Sequence, residues 1–247
     1  MTTENAAAGS AAPPRGFLQN LLDLYVSPSQ AFRDIVAHPR VLAPMAVLLA
    51  LNLAFTAVWL RNVEPREFMK AQIEQAGRWD KIPADRREDV LDQQSRMLPV
   101  FGWTGAILGA PIVIVVVGAV FLFVFRFFFA GELTFKQSLA VTGHAFLAVA
   151  LVTTPLSLLT LWLKGDWTAA PQEVLQANLA VLFDRTATAK PLYSLAHSLD
   201  LFAFWIMALQ AIGYGIATRR SAGSAAAGVV GVWVIVVLVK VAWAAMF

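Results

Sequence analysis

The fold is decided by residues 191–220, PLYSLAHSLDLFAFWIMALQAIGYGIATRR. This stretch is almost wholly apolar, ends in two arginines and carries one acid, Asp200. A helix that starts at Pro191 and runs for about 28 residues is about 42 Å long, whereas the hydrocarbon core of a bilayer is about 30 Å thick. We therefore predict a membrane-spanning helix over residues 197–218, with Asp200 near the membrane interface.

The small and polar side chains of this stretch fall on one face of the predicted helix. A face of that kind suits contact with other helices, because small residues let two backbones approach closely in a membrane. We predict a helix-packing seam that includes His197, Asp200, Ala203, Ala211 and Tyr214.

The rest of the chain has the composition of a membrane protein. Of its 247 residues 58% are hydrophobic and 14% are charged, against about 45–50% and about 25% in soluble domains. We predict an all-α membrane protein, a bundle of five transmembrane helices. The apolar runs place the spans over residues 41–60, 105–127, 139–163, 197–218 and 225–247.

Four segments lie outside these spans. Residues 1–15 have the composition of a disordered tail, and residues 16–247 form the membrane domain. Two short amphipathic helices precede the first span and either lie in the membrane plane or pack on the bundle. Residues 61–98 hold eight basic and eight acidic residues, which predicts a helical extramembrane loop, either a docking head or a solvated hairpin. A further helix, either interfacial or half-inserted, is predicted by the spacing of Val174, Leu175, Leu179, Leu182 and Phe183.

Ionisable residues inside the spans are the candidate functional positions, because burying them is costly. There are four: Arg126, His144, Asp200 and Lys240. The predicted depths of Asp200 and Lys240 match, so we expect an ion pair between them. For Arg126 we favour a side chain that reaches to the headgroups, and for His144 a packing role.

Other features concern packing and excluded chemistry. Gly105 and Gly109 form a GxxxG pair, which predicts close approach of another helix. The chain has no cysteine and only three histidines, none at a zinc-binding spacing. No nucleophile and base stand together in a pattern that indicates catalysis. We expect no catalytic, metal or cofactor site and no enzyme activity, and the net charge of +3 does not indicate nucleic-acid binding.

The run D-x-F-x-x-W, followed by L and G, resembles the signature of the Yip membrane-protein family (Ypt/Rab-interacting proteins). Its positions here are Asp200, Phe202, Trp205, Leu209 and Gly213. Ser27-Pro28-x-x-Ala31-Phe32 and residues 131–135 support the resemblance. It implies five spans and a cytoplasmic amino terminus. Eukaryotic members are associated with Rab-type GTPases and vesicle traffic. An alanine-rich, cysteine-free chain resembles a bacterial-type member, for which a Rab-type partner is not expected and no settled activity is implied.

Two functions remain from the sequence. The first is a non-enzymatic scaffold or adaptor in the cell (inner, cytoplasmic) membrane, whose partners are the lipid bilayer and either other membrane proteins or a second copy of itself. The second is a small-solute or ion transporter or channel that uses the polar stripe around Asp200. We place the amino terminus in the cytoplasm. The cytoplasmic side then carries seven Lys and Arg residues and the other side eleven. The short loops on the cytoplasmic side are nevertheless densely basic, and short loops have the largest influence on membrane orientation.

Overall fold

The computed structural model describes residues 15–185 and 187–246. The predicted tail over residues 1–15 therefore lies outside the described residues, except for Arg15. In the described part the chain forms nine α-helices: α1 Phe17–Val26, α2 Pro28–Ala37, α3 Leu42–Asn62, α4 Pro65–Gln75, α5 Arg87–Phe127, α6 Phe135–Lys164, α7 Lys190–Ser198, α8 Leu201–Ala217 and α9 Ala222–Met246.

Four of these helices, α3, α5, α6 and α9, are long and apolar enough to cross a membrane by length and composition. α8 is apolar but has only 17 residues. α5 has 41 residues, or about 60 Å at 1.5 Å per residue, so it extends well beyond one bilayer core. The protein is thus an all-α, multi-pass membrane protein.

α6 is the central helix of the bundle. It packs against α3, α5 and α8 and also meets α1 and α2. Small residues on it let so many neighbours approach closely. The buried stretch of α6 includes Ala140, Val141, Gly143, Ala145 and Ala148.

The amino-terminal pair α1 and α2 is folded onto this bundle. Leu24, Phe32 and Ile35 are buried, and Tyr25 donates a hydrogen bond to the carbonyl of Ala148 at 2.6 Å. α1 also exposes Leu18, Leu22 and Val26 on another side. The pair therefore contributes side chains to the main core while presenting a second apolar face outward.

Asp34 links the start of the chain to α2. Its carboxylate accepts hydrogen bonds from the Asn20 side chain at 2.7 Å and from the Arg15 backbone at 3.1 Å. Burial alone raises the pKa of Asp34, but these bonds and a nearby His38 outweigh it and lower that pKa below its ordinary 3.8. The ionised form of Asp34 is the one that fits the fold.

The continuous helix predicted through residues 191–218 is wrong, because the chain breaks at Leu199 and Asp200 between α7 and α8. Here the backbone is extended and pairs with residues 177–179. The amide of Leu201 donates to the carbonyl of Ala177 at 3.0 Å, and Leu199 accepts from the amide of Leu179 at 3.2 Å. An apolar run with one acid does not reveal such a break, because the pairing partner lies outside the run.

The interfacial helix predicted around residues 174–183 is also wrong. α6 ends at Lys164, and Gly165 caps it with a φ of +65°, a left-handed conformation that glycine tolerates. Among the described residues between α6 and α7, the one helical segment is a short 3-10 turn, Leu179–Leu182, and Asn178 before it is extended. The pairing with residues 199–201 uses backbone amide and carbonyl groups that a helix would have needed for its own hydrogen bonds.

One end of the bundle carries a structured head, which we define as residues 63–98, 165–185 and 187–189. Arg66 of α4 pairs with Glu88 and Asp92 at the start of α5. Side-chain hydrogen bonds between described residues join the distant segments: Gln72 donates to the carbonyl of Thr168 at 3.4 Å and Arg185 to Gln75 at 3.3 Å. The head is therefore held in one piece by contacts between distant parts of the sequence.

Candidate functional site

The signature acid, Asp200, begins α8. Its Oδ1 accepts a hydrogen bond from the backbone amide of Ala203 at 2.9 Å. An N-cap of this kind satisfies one of the backbone donors that a helix start leaves free, and aspartate is among the preferred residues for it. The carboxylate therefore has a structural task at the point where the chain turns into α8.

A buried hydroxyl network lies further along α8, around Tyr214. The Tyr214 hydroxyl lies 2.8 Å from Ser138 Oγ and 2.8 Å from Thr142 Oγ1, and Ser138 Oγ donates to the carbonyl of Gly118 at 2.6 Å. Each hydroxyl has one proton. Ser138 must therefore accept from Tyr214, and Thr142 must donate to it. The chain of hydrogen bonds links α8, α6 and α5.

Aromatic rings enclose the same hydroxyl. The Tyr214 ring stacks on Phe125 with centroids 4.8 Å apart and an interplanar angle of 7°. Phe121 lies 4.9 Å away in a tilted arrangement. Tyr214 is fully buried, so the network excludes solvent and a solute has no direct access to it.

Two other signature residues set how closely α8 approaches its neighbours. A Cβ added at Gly213 would lie 2.5 Å from Val141 Cγ1 and 3.0 Å from the Phe32 ring, so only glycine fits without movement. Leu209 is buried in the same core. These positions hold α8 against α6 and α2.

The remaining residues predicted to pack on this helix are less enclosed. Phe202 and Trp205 are partly buried against the main core, and Trp205 lies 5.9 Å from the Tyr25 ring. Ala211 is buried, whereas Ala203 is half-buried. The seam is therefore tightest in the second half of α8.

A family model described as the Yip1 domain matches residues 22–244. The chain belongs to the Yip1 domain family. The match covers most of the described residues, and it confirms the resemblance predicted from the sequence. No curated protein gave a significant match, and no solved structure did either.

The ion pair predicted between Asp200 and Lys240 is not formed in this Yip1 domain. Lys240 Nζ instead donates to Ser198 Oγ at 3.0 Å. The break before α8 explains the difference, because it places the end of α7 beside α9 and leaves Asp200 to cap α8. The stripe predicted on one continuous helix is divided at the same point.

His197 lies on α7, away from the Tyr214 network. It lines a small polar cleft of about 160 Å³ together with Glu173, Asn178 and Tyr193. The structure therefore separates His197 from Ala203, Ala211 and Tyr214, with which the sequence grouped it.

The other two ionisable residues of the Yip1 domain lie in different surroundings. His144 is buried, its Nδ1 is 2.8 Å from the carbonyl of Ala140, and its ring meets Phe17 edge-on at 5.9 Å. Arg126 is exposed near the end of α5. The structure places neither His144 nor Arg126 beside Asp200 or Lys240, so the four residues do not form one charged group.

Within the described chain no helix packs on Gly105 and Gly109, so the predicted close approach there stays a prediction. A Cβ built at either glycine meets nothing within 4 Å. α5 packs on α3 through other positions, and a Cβ built at Gly102 would lie 3.4 Å from the Leu60 side chain. The GxxxG face instead lines an open cleft.

Sequence reasoning missed Ser138, Thr142 and Gln210. Ser138 and Thr142 are four residues apart on α6, a spacing that places both hydroxyls on one helical face and could have indicated a bonding partner. Gln210 is buried in α8 and its Nε2 has no hydrogen-bond partner within the described chain. It lines an apolar cleft of about 420 Å³ with residues of α5 and α9.

The described residues bring together no group of three or more His, Asp or Glu side chains that would hold a metal ion. The chemistry that the visible sites offer is hydrogen bonding and apolar contact. Tyr214, Ser138 and Thr142 form contacts between helices, and Asp200 caps one of them.

Proposed function

We propose that this Yip1 domain protein is a non-enzymatic membrane scaffold or adaptor, which docks another membrane protein or a second copy of itself through the head. The observation that carries the proposal is the way the head is built. Gln72 and Arg185 join two segments about a hundred residues apart, at 3.4 Å and 3.3 Å from their partners. A head ordered in advance loses less conformational freedom on binding a partner.

The surface of the head supports the same proposal. Asp85 and Asp89 are exposed, as are Arg78, Lys81 and Arg96. Exposed charges of both signs give a docking surface specificity through complementary charge on the partner. The polar groups around Tyr214, in contrast, form hydrogen bonds between helices and are not presented to a partner.

For the membrane topology we propose five spans, with α8 as the fourth. Its 17 residues cover about 25 Å, which is short of the hydrocarbon core by only a few ångströms, a mismatch that bilayers absorb by local thinning. Its antiparallel neighbour α9 packs along it. This arrangement puts the head and the amino terminus on opposite sides of the membrane. We propose that the amino terminus is cytoplasmic and that the protein resides in the cell membrane.

The absence of cysteine from the chain makes the topology directly testable. Single cysteines at Ala187 and Ser221 flank α8 and are both exposed in the native chain. A membrane-impermeant maleimide added to intact cells should label Ala187→Cys and should label Ser221→Cys only after the cells are opened. Equal labelling of both would refute a spanning α8, and the reverse pattern would refute the orientation.

Crosslinking in native membranes tests the docking role. A photo-crosslinker at Arg78 on the head should give a discrete adduct, and Asp85→Lys with Asp89→Lys should weaken that adduct strongly. The matched control is Lys136→Glu, an exposed charge reversal at the opposite end of the bundle, which should leave the adduct unchanged. The docking proposal fails if the adduct survives the head reversals, or if no adduct forms and the protein supports solute flux in liposomes.

A further inference from the structure

A cleft of about 540 Å³ opens between α3, α4 and α5 and is closed on one side by residues 170–172. Ligand pockets in proteins are typically about 300–1,000 Å³, so this cleft has the size of a binding site. We call it the α3–α5 cleft. Neither the packing of the bundle nor the proposed docking role of the head accounts for it.

One wall of the cleft is hollow. Beyond Leu98 and Phe101, α5 lines it with Gly102, Gly105, Ala106, Gly109 and Ala110, none of which has a side chain beyond Cβ. A Cβ added at Gly105 or Gly109 would meet nothing within 4 Å. The wall therefore leaves room for a slender apolar occupant lying along the helix.

A buried donor without an acceptor lies in another wall. Trp59 is 4% exposed, and its Nε1–H has no hydrogen-bond partner in residues 15–185 and 187–246. Leaving a buried donor unsatisfied is unfavourable. Trp59 also lines the cleft. Its Nε1 has almost no accessible surface, so an occupant with an oxygen acceptor satisfies that donor when the indole turns towards the cleft.

The polarity of the cleft changes along its length. Gln72 and Gln172 lie where the head covers it, and Trp59 stands two residues before Arg61 at the end of α3. Tryptophan in membrane proteins is enriched at the depth of the lipid headgroups. From Trp59 to Asn52 the cleft follows α3 for about 10 Å towards the bilayer centre.

Among the residues that the structure describes, no Asp, Glu, Lys or Arg side chain lines the α3–α5 cleft. It therefore does not select a charged headgroup, and the group it matches at the Trp59 level is an uncharged oxygen acceptor attached to a hydrocarbon chain. We propose that the α3–α5 cleft binds one acyl chain of a membrane phospholipid, with the ester carbonyl accepting a hydrogen bond from Trp59 Nε1. The chain then lies on the face formed by Gly105 and Gly109.

The test uses phosphatidylcholine with a photoreactive diazirine in its acyl chain, incorporated with the full-length protein into lipid nanodiscs. Mass spectrometry of the peptides locates the label. We expect labelling to concentrate on residues 102–110, and Gly109→Leu to reduce it severalfold by filling the cleft. Gly231→Leu is the matched control, because Gly231 is exposed on α9 and also has nothing within 4 Å of a built Cβ.

Trp59→Phe tests the hydrogen bond without adding bulk to the cleft. It keeps an aromatic ring against Phe68, which Trp59 meets edge-to-face at 5.0 Å, and removes the donor together with part of the indole. Labelling of residues 102–110 should fall by about two- to tenfold, the equivalent of one net hydrogen bond. No change in this variant would overturn the role of Trp59.

Two results would overturn the cleft as a lipid site. The first is label spread evenly over the lipid-facing helices and unaffected by Gly109→Leu, which would mean surrounding lipid only. The second is efficient disulfide formation between two copies of Gly105→Cys that abolishes lipid labelling, which would mean that a second copy of the chain covers this face. Size-exclusion chromatography and circular dichroism of each variant establish that it is folded before labelling.

Discussion

Replacing Tyr214 with phenylalanine removes one oxygen from the centre of the bundle and leaves the ring in place. The hydroxyl lies 2.8 Å from Ser138 Oγ, 2.8 Å from Thr142 Oγ1 and 3.2 Å from the carbonyl of Ser138. The stacking on Phe125 does not depend on the hydroxyl and should persist. Tyr214→Phe therefore isolates the hydrogen bonds between α8 and α6 from the apolar packing around them.

The expected loss follows from these contacts. A hydrogen bond between membrane helices contributes on average about 0.6 kcal/mol, with a maximum of about 1.7 kcal/mol. Because the Tyr214 hydroxyl has one proton, it makes one hydrogen bond to Ser138 and one to Thr142, which gives roughly 1 kcal/mol at the average value and roughly 3 kcal/mol at the maximum. Part of this is recovered, because Ser138 keeps its bond to the Gly118 carbonyl and the Thr142 hydroxyl can turn to a carbonyl one turn back on α6. We therefore expect Tyr214→Phe to lower the free energy of unfolding by about 1–2 kcal/mol.

The assay is reversible unfolding of the purified protein in mixed micelles, followed by circular dichroism as the fraction of denaturing detergent rises. Tyr193→Phe is the matched control. The Tyr193 ring lies 5.7 Å from the Arg185 guanidinium, an interaction that uses the ring face and not the hydroxyl. This control should change the free energy of unfolding by less than about 0.5 kcal/mol.

A double-mutant cycle makes the test stricter. If Tyr214 and Thr142 interact directly, Tyr214→Phe and Thr142→Val together should cost less than the sum of the two single changes. A loss below about 0.5 kcal/mol for Tyr214→Phe, the low end for one net hydrogen bond, would refute the argument. So would strict additivity in the cycle, since it would mean that the two hydroxyls act independently.

Three further predictions use the same unfolding measurement. Gly213→Ala should cost about 1–3 kcal/mol by overpacking, while Gly231→Ala, where a Cβ meets nothing within 4 Å, should be close to neutral; equal effects would contradict the close contact at Gly213. Asp200→Ala should cost about 1 kcal/mol through the lost cap of α8 and Asp200→Asn much less, whereas equal losses would show that the charge matters and not the cap. The stability difference between the native chain and Asp34→Asn should be fully present above pH 3.8 and disappear as the pH falls through the lowered folded-state pKa; a difference independent of pH would contradict it.

The apolar runs were enough to predict the class of fold and the four long helices, because a bilayer demands about 20 apolar residues in sequence whatever the neighbours are. The same reasoning failed at Asp200. One aspartate in an apolar run is compatible with an interfacial residue or with a helix start, and the choice depends on extended pairing with residues 177–179, which are remote in sequence. The hydrophobic periodicity of one stretch cannot reveal a pairing partner that lies outside that stretch.

The candidate site was predictable only in part, for a related reason. The sequence predicts a packing face that includes Tyr214, and the structure buries this residue, but its partners Ser138 and Thr142 are on α6 and have ordinary spacing for a helix face. Gly105 and Gly109 have the spacing of a close helix contact, yet the structure leaves them open. A GxxxG pair indicates that a close approach to the helix is sterically allowed, but it does not identify the group that approaches.

The residues that resemble the Yip signature therefore act on the placement of one helix. Asp200 starts α8, Leu209 fills the core beside it, and Gly213 lets it press against α6 and α2. Residues that specify a helix position restrict the fold without restricting the chemistry at its surface. Differences in function between proteins that share this signature should then arise where the signature does not reach. In this chain those places are the head and the α3–α5 cleft, where Trp59 retains an unsatisfied donor.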